Sequence, residues 1–298
     1  FDDAHHAHKT ALDLYQQTGD THSEASAWNN LGNAYGELRR FDDAHHAHKT
    51  ALDLHQQTGD THSEATAWNN LGGVLKELRR FDDAHHALKT ALDLYQQTGD
   101  THGEASAWNN LGTALKELRR FEDSHHALKT ALDLYQQTGD THSEATAWNN
   151  LGTTLKELRR FDDAHHAHKT ALDLYQQTGD THSEATAWNN LGTVYRGMGR
   201  VDEAVVAGKQ AVAMLAAARD WFLAGEAWGE LATTLTAAGA DTAQVREAWE
   251  QSAQAYTQAG ADEEAAASRK HANSMETTET QSPAVTDLPE KDAASDSG

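Results

Sequence analysis

The sequence predicts an all-α solenoid of antiparallel helix pairs, and three observations predict it. Blocks 1–40, 41–80, 81–120, 121–160 and 161–200 of the 298-residue chain align without a gap and agree at most positions. Each block holds two stretches whose apolar residues recur at helical spacing. Period-2 alternation and β-branched runs, the marks of strands, are missing. One helix pair cannot bury its apolar face alone, but neighbours stacked on it can.

The chain opens on "FDDAHHAHKT", so Phe1–Gln17 reads as a second helix without its first, and the chain as a fragment that starts inside a repeat. In the first helix of a pair, Trp28, Leu31, Tyr35 and Leu38 share one face, with Gly32 beside them. Thr21 and Glu24 of "THSE" form a capping-box pattern at its start. Arg39 and Arg40 stand at its end, where positive charge suits the helix dipole. The second helix carries Phe41, Ala44, Ala47, Ala51 and Leu52, with Asp42 and Asp43 in its first turn. Thr58-Gly59 ends it, since glycine suits a left-handed cap. Each helix is roughly 16 residues, or about 24 Å.

Block 201–240 keeps the length but diverges, and 241–273 adds one more helical stretch and a short last one. Solenoids need polar ends, so helix 261–273 is expected to cover the apolar edge of the last repeat. From Ser274 the composition turns to Thr, Ser, Asp and Glu with Pro283 and Pro289, which predicts a disordered acidic tail over 274–298. The expected organisation is one solenoid over 1–273: a half repeat, five near-identical units, divergent last units and a capping helix.

The net charge is −22, from 24 Lys+Arg against 46 Asp+Glu. That argues against nucleic acid or an anionic membrane as the main partner. Twenty histidines would bring the charge to −2 if all were protonated. Solubility should therefore change between about pH 7 and pH 5, and light scattering that stays flat across that range would contradict this. There is no cysteine, which fits a reducing, cytoplasmic location and leaves no thiol nucleophile or Cys–zinc site. No apolar run approaches the roughly 18 residues of a membrane span.

His45, His46 and His48 raise a metal question, but position 48 becomes Leu88 and Leu128 in other copies, which suits packing better than ligation. The pair His22 and Glu24 resembles a catalytic dyad, yet it recurs without a Ser or Cys nucleophile, and Ser23 becomes Gly103 in one copy. The expectation is a protein that is not an enzyme and holds no cofactor and no metal.

Trp28, Leu31, Gly32, Tyr35, Phe41, Ala44 and Ala51, repeated as Trp68, Leu71, Gly72, Leu75, Phe81, Ala84 and Ala91, resemble the tetratricopeptide repeat pattern over about residues 1–258. The 40-residue period is similar to the longer repeats of kinesin light chains and Leu-Gly-Asn adaptors. It also resembles repeat arrays that follow a signalling NTPase, although no GxxxxGK[ST] loop is present here. The resemblance implies a right-handed superhelix with first helices on its concave surface, and a protein-interaction function.

The residues supply a matching stripe. Positions 26, 29, 33 and 36 share one helical face, away from Trp28. The stripe holds Asn29, Asn69, Asn109, Asn149 and Asn189; then Thr113, Thr153 and Thr193; then Lys76, Lys116, Lys156 and Arg196. An amide in every unit could meet the backbone of an extended peptide at regular intervals. The cationic row favours acidic side chains or a carboxylate. The alternative is a polar, solvated face with no ligand. The neighbouring Asn30-type residues suit a buried hydrogen bond as well as a ligand contact. Two other classes of function remain: a self-assembling array joined head to tail through the uncovered first helix, or a sensor arm of a larger signalling protein. A His-rich metal scaffold ranks below both.

Overall fold

The computed structural model describes the backbone of residues 2–279 and the side chains of residues 9–275. Among the described residues every regular element is an α-helix. They are α1 (Asp2–Thr18), α2 (Thr21–Glu37), α3 (Phe41–Thr58), α4 (Thr61–Glu77), α5 (Phe81–Thr98), α6 (Thr101–Glu117) and α7 (Phe121–Thr138). There follow α8 (Thr141–Glu157), α9 (Phe161–Thr178), α10 (Thr181–Gly197), α11 (Val201–Ala218), α12 (Trp221–Ala237), α13 (Thr242–Gln258) and α14 (Asp262–Glu279). The chain divides into two compact units, Phe1–Met214 and Leu215–Gly298, with the boundary inside α11.

In the first unit, first helices begin one residue earlier in register than a Thr cap would place them. The N-cap is Asp20, and its carboxylate accepts the backbone N–H of Ser23 at 3.1 Å. Asp60, Asp100, Asp140 and Asp180 repeat this, and Thr21 and its copies are already helical. An Asp at that position both satisfies an orphan N–H and places negative charge at the positive end of the dipole. Glu64 is thereby released from capping and accepts from Gln56 Nε2 at 2.9 Å and Trp68 Nε1 at 3.4 Å. Glu104 and Glu144 do the same for Gln96 and Trp108, and for Gln136 and Trp148.

Second helices end as expected on left-handed glycines, such as Gly59 at φ 71°. First helices end at Glu37-type residues, so the two arginines lie beyond the helix. Arg39, Arg79, Arg119 and Arg159 occupy the left-handed region at φ 56–59°, where Gly199 serves in the next unit. Arg40 precedes the second helix and donates Nε to Asp43 at 2.7 Å.

The pairs close because their contact residues are small. Ala44, Ala47, Ala51, Ala65 and Ala67 are fully buried. A Cβ on Gly72 would lie 2.5 Å from Leu88 Cγ, and one on Gly32 would lie 2.6 Å from the His48 ring. The "LG" glycine is therefore the socket for the residue at position 48 of the following helix. Buried Leu, Tyr and Ala from successive units form clusters along the unit from Leu12 to Ala207, with the Trp side chains packed at their edges.

In the second unit, Asp220 caps α12 by accepting from Leu223 N. Ser252 of α13 donates to Gly225 O at 2.7 Å and meets Ser268 Oγ of α14 at 3.0 Å. Ala265, Ser268 and Ala272 bury one face of α14, and His271 stacks on Trp249 at 4.5 Å. Helix α14 runs through Ser274 to Glu279, so the change in composition at 274 does not end the helix. The rest of the predicted tail, 280–298, lies outside the described residues.

Candidate functional site

The polar stripe follows the first helices α2, α4, α6, α8 and α10. Most of its asparagine chemistry is turned onto the protein itself. Asn70 Nδ2 donates to Asn29 Oδ1 at 3.0 Å, and Asn110, Asn150 and Asn190 donate in the same way to Asn69, Asn109 and Asn149. The "NN" pair is thus an inter-repeat ladder: the second Asn of one unit holds the first Asn of the unit before. His48 and His168 add Nδ1 to Asn29 Oδ1 and Asn149 Oδ1, each at 2.9 Å. Asn69 is buried and donates its own amide to Ser106 Oγ at 3.3 Å, while Asn29, Asn109, Asn149 and Asn189 are half-buried. Where the sequence suggested a run of open amides, the carbonyl half of four of them is occupied.

The threonines also close on themselves. Thr113, Thr153 and Thr193 donate to the carbonyls of Asn110, Asn149 and Asn190. Lys76, Lys116 and Lys156 form a half-buried row, each within reach of the glutamate that follows it, at 3.5, 3.0 and 3.8 Å from Glu77, Glu117 and Glu157. Arg196 continues the row, also half-buried. The three lysines of the cationic row therefore form Lys–Glu pairs, while Arg196 is followed by Gly197.

Three open concavities follow this row and share walls. The first, about 710 Å³, lies over Gly36, Gly73, Asn69 and Lys76. The second, about 420 Å³, lies between Lys76, Thr113 and Lys116. The third, about 330 Å³, lies between Lys116, Phe121 and Glu157.

The histidines divide by position. Burial, with His45 adding to it, holds His48 down to about 4; burial with Lys156 and His165 holds His168 down to about 3. Both are neutral imidazoles that donate through Nδ1, and His168 Nε2 is buried with no hydrogen-bond partner. Burial, then nearby Arg and Lys charge, lowers His45, His85, His125 and His165, and burial lowers His55. His48 and His168 stay neutral through the range the composition suggested, so fewer than the twenty histidines titrate there. His46, His86 and His166 pack edge-on against Trp28, Trp68 and Trp148.

His22 does not pair with Glu24. It meets Asp60, the N-cap of the next unit, at 3.5 Å, and His62, His102 and His142 reach Asp100, Asp140 and Asp180 at 3.6, 2.9 and 3.7 Å. Burial opposes ionisation of Asp60, Asp140 and Asp180, but hydrogen bonds from Ser63, Ser143 and Ser183, with help from the His charges, leave all three lowered. Gln16 Nε2 occupies Glu24 at 3.0 Å. Among the described residues no three His, Asp or Glu side chains converge as a metal-holding group, and no helix is long and apolar enough to cross a membrane.

Stacked helix hairpins with a small-residue socket in each pair define a helical-repeat protein. The tetratricopeptide repeat profile matches residues 25–58, 63–137 and 143–217, more than half of the chain, and the chain belongs to that family. Its fold is similar to a chain of the Cut9–Hcn1 hetero-tetramer of APC/C (TM-score 0.69, 18% identity, 90% of this chain and 46% of that chain). It is similar as well to the Signal Transduction ATPase with Numerous Domains protein with a tetratricopeptide repeat sensor from Pyrococcus horikoshii (0.68, 14%, 91% and 44%). A Rap protein complexed with Competence and Sporulation Factor also matches (0.62, 17%, 87% and 76%). At these identities the likeness is one of fold. No curated protein matches significantly.

Proposed function

We propose that the chain is a protein-interaction module that holds an extended peptide or a partner helix along the first-helix stripe. Membership of a repeat family that serves protein–protein interaction supports this class of function over an enzyme. The observation that carries the finer reading is the row of three concavities sharing Lys76–Glu77 and Lys116–Glu117 as walls. These pairs are half-buried on the lysine side and exposed on the glutamate side, and such surface ion pairs are worth about 0–1 kcal/mol. A lysine can therefore leave its glutamate for a ligand carboxylate at little cost. The Asn ladder contributes by fixing the walls, and the Asn amide groups not used between repeats remain to meet peptide carbonyls.

The test is selection from a randomised peptide display library. The native chain should enrich acidic extended peptides, and Lys76→Ala/Lys116→Ala/Lys156→Ala should lose that enrichment. Identical peptides from both chains would rule out the stripe as the site.

A sensor arm within a larger signalling protein would use the same stripe, and the likeness to a repeat sensor supports it. Head-to-tail pairing through α1 is a separate reading. It is favoured by Leu14, which is 55% exposed while its copies Leu54, Leu94, Leu134 and Leu174 are partly buried. Sedimentation that shows one mass at all concentrations would dismiss it.

A further inference from the structure

The stripe is not uniform, and the largest of its three concavities is lined by two glycines. Position 36 is Gly36 in the first unit and Lys76, Lys116, Lys156 and Arg196 in the others; position 33 is Gly73 in the second unit and Asn33, Thr113, Thr153 or Thr193 elsewhere. Neither glycine is needed by the fold. Both have ordinary helical backbone, and a Cβ on either would meet nothing within 4 Å. The contrast is with Gly32, Gly72, Gly112 and Gly152, where a Cβ would collide with the next helix. A helical glycine with no packing role costs up to about 1 kcal/mol against alanine. What Gly36 and Gly73 do instead is leave space: they line the concavity of about 710 Å³, against about 420 Å³ where Lys76 and Thr113 take their places and about 330 Å³ beside Lys116.

The chemistry of that space also differs. Glu37 has a glycine before it where Glu77, Glu117 and Glu157 have a lysine partner. Lys76 and Arg39 balance Glu37 and Glu77 around the opening, so it carries no net charge; the next section, with Lys76, Arg79 and Lys116 against Glu77 and Glu117, is positive, and the third, with Lys116 and Arg119 against Glu117 and Glu157, is balanced again. Phe41 and Val74 supply apolar wall, and Asn69 and Asn110 line it while held to one another, Asn110 Nδ2 donating to Asn69 Oδ1.

We infer that the Gly36/Gly73 section is a specificity pocket that takes one bulky, uncharged side chain of the bound peptide, of the aromatic or long amide type, beside acidic residues seated over the lysine row. This rests on the peptide-binding reading above. A concavity of about 710 Å³ is the size of a small-molecule cleft, so it admits the largest side chains with room to spare, and a section without net charge gives no reward for burying an ion.

The test replaces each glycine by what the other units carry, Gly36→Lys with Gly73→Thr. The same randomised display library is the probe. The native chain should enrich peptides with one bulky uncharged residue at a fixed distance from their acidic residues. The variant should still enrich acidic peptides but lose that preference, and should bind the peptides chosen by the native chain about tenfold to a hundredfold more weakly, the range expected for one buried large side chain. Its melting temperature should be unchanged or higher, because helical glycines have been removed. The same bulky residue enriched by both chains would overturn the pocket while leaving the groove intact. A lower melting temperature would show that the glycines serve the fold and would overturn it too. If the native chain enriches nothing, the groove reading falls and the pocket with it.

Discussion

Two kinds of unit occur within a chain of near-copies, histidine units at either side of two leucine units. In α3 and α9 the residue seated in the glycine socket is His48 or His168; in α5 and α7 it is Leu88 or Leu128. All four are essentially without solvent exposure. The leucines fill the socket and nothing else. The histidines fill it and also hold Asn29 or Asn149 through Nδ1. The socket therefore selects for size, and the hydrogen bond is an addition that carries a pH-dependent cost. That cost follows from sign. Below about pH 6.5 the unfolded chain binds a proton that the folded histidine refuses until about pH 4 or 3, so stability falls as pH drops through that window.

The comparison can be broken most strongly at the socket itself. Gly112→Ala puts a Cβ 2.5 Å from Leu128, and Gly152→Ala puts one 2.7 Å from the His168 ring. Each should cost about 3 kcal/mol in urea unfolding, the upper part of the overpacking range. A tolerated change at either position would show that the socket is not set by size. Next comes His168→Leu. At pH 5, about 1.5 units below the unfolded value, it should recover about 2 kcal/mol that the native chain loses, with a smaller change at pH 8. Equal effects at both pH values would remove the titration from the account. Asn149→Ala removes the acceptor of two donors and Asn109→Ala that of one, so the first should cost about 1 kcal/mol more than the second. Lys116→Ala should leave stability within about 0.5 kcal/mol, since its pair with Glu117 is exposed on the carboxylate side.

The hairpins and their solenoid stacking were legible because a repeat states its own period and because Trp, Leu, Gly and Ala mark buried faces by spacing alone. The left-handed glycines at the ends of second helices were legible for the same local reason. The N-cap was missed by one residue: Thr21 and Glu24 fit a local pattern that Asp20 fits better. The ladder was half legible. A helical wheel shows which residues share a face, but Asn70 and Asn29 are 41 positions apart on different helices. The signal available was the doubled Asn itself, repeating at the same period as the stack. His22 was assigned to the nearest carboxylate in sequence, when the geometry delivers it to Asp60 in the next unit. The lysine row was read without the glutamates that follow it, so its charge was overstated.

The central claim is that ligands lie along the first-helix stripe of the near-identical units. A photo-crosslinking residue placed at Thr113 on the stripe, and in a second chain at Asp133 on the exposed side of α7, tests it most directly with peptides selected by the native chain. The account predicts covalent capture at Thr113 and none at Asp133. Capture at Asp133 with none at Thr113 would contradict it.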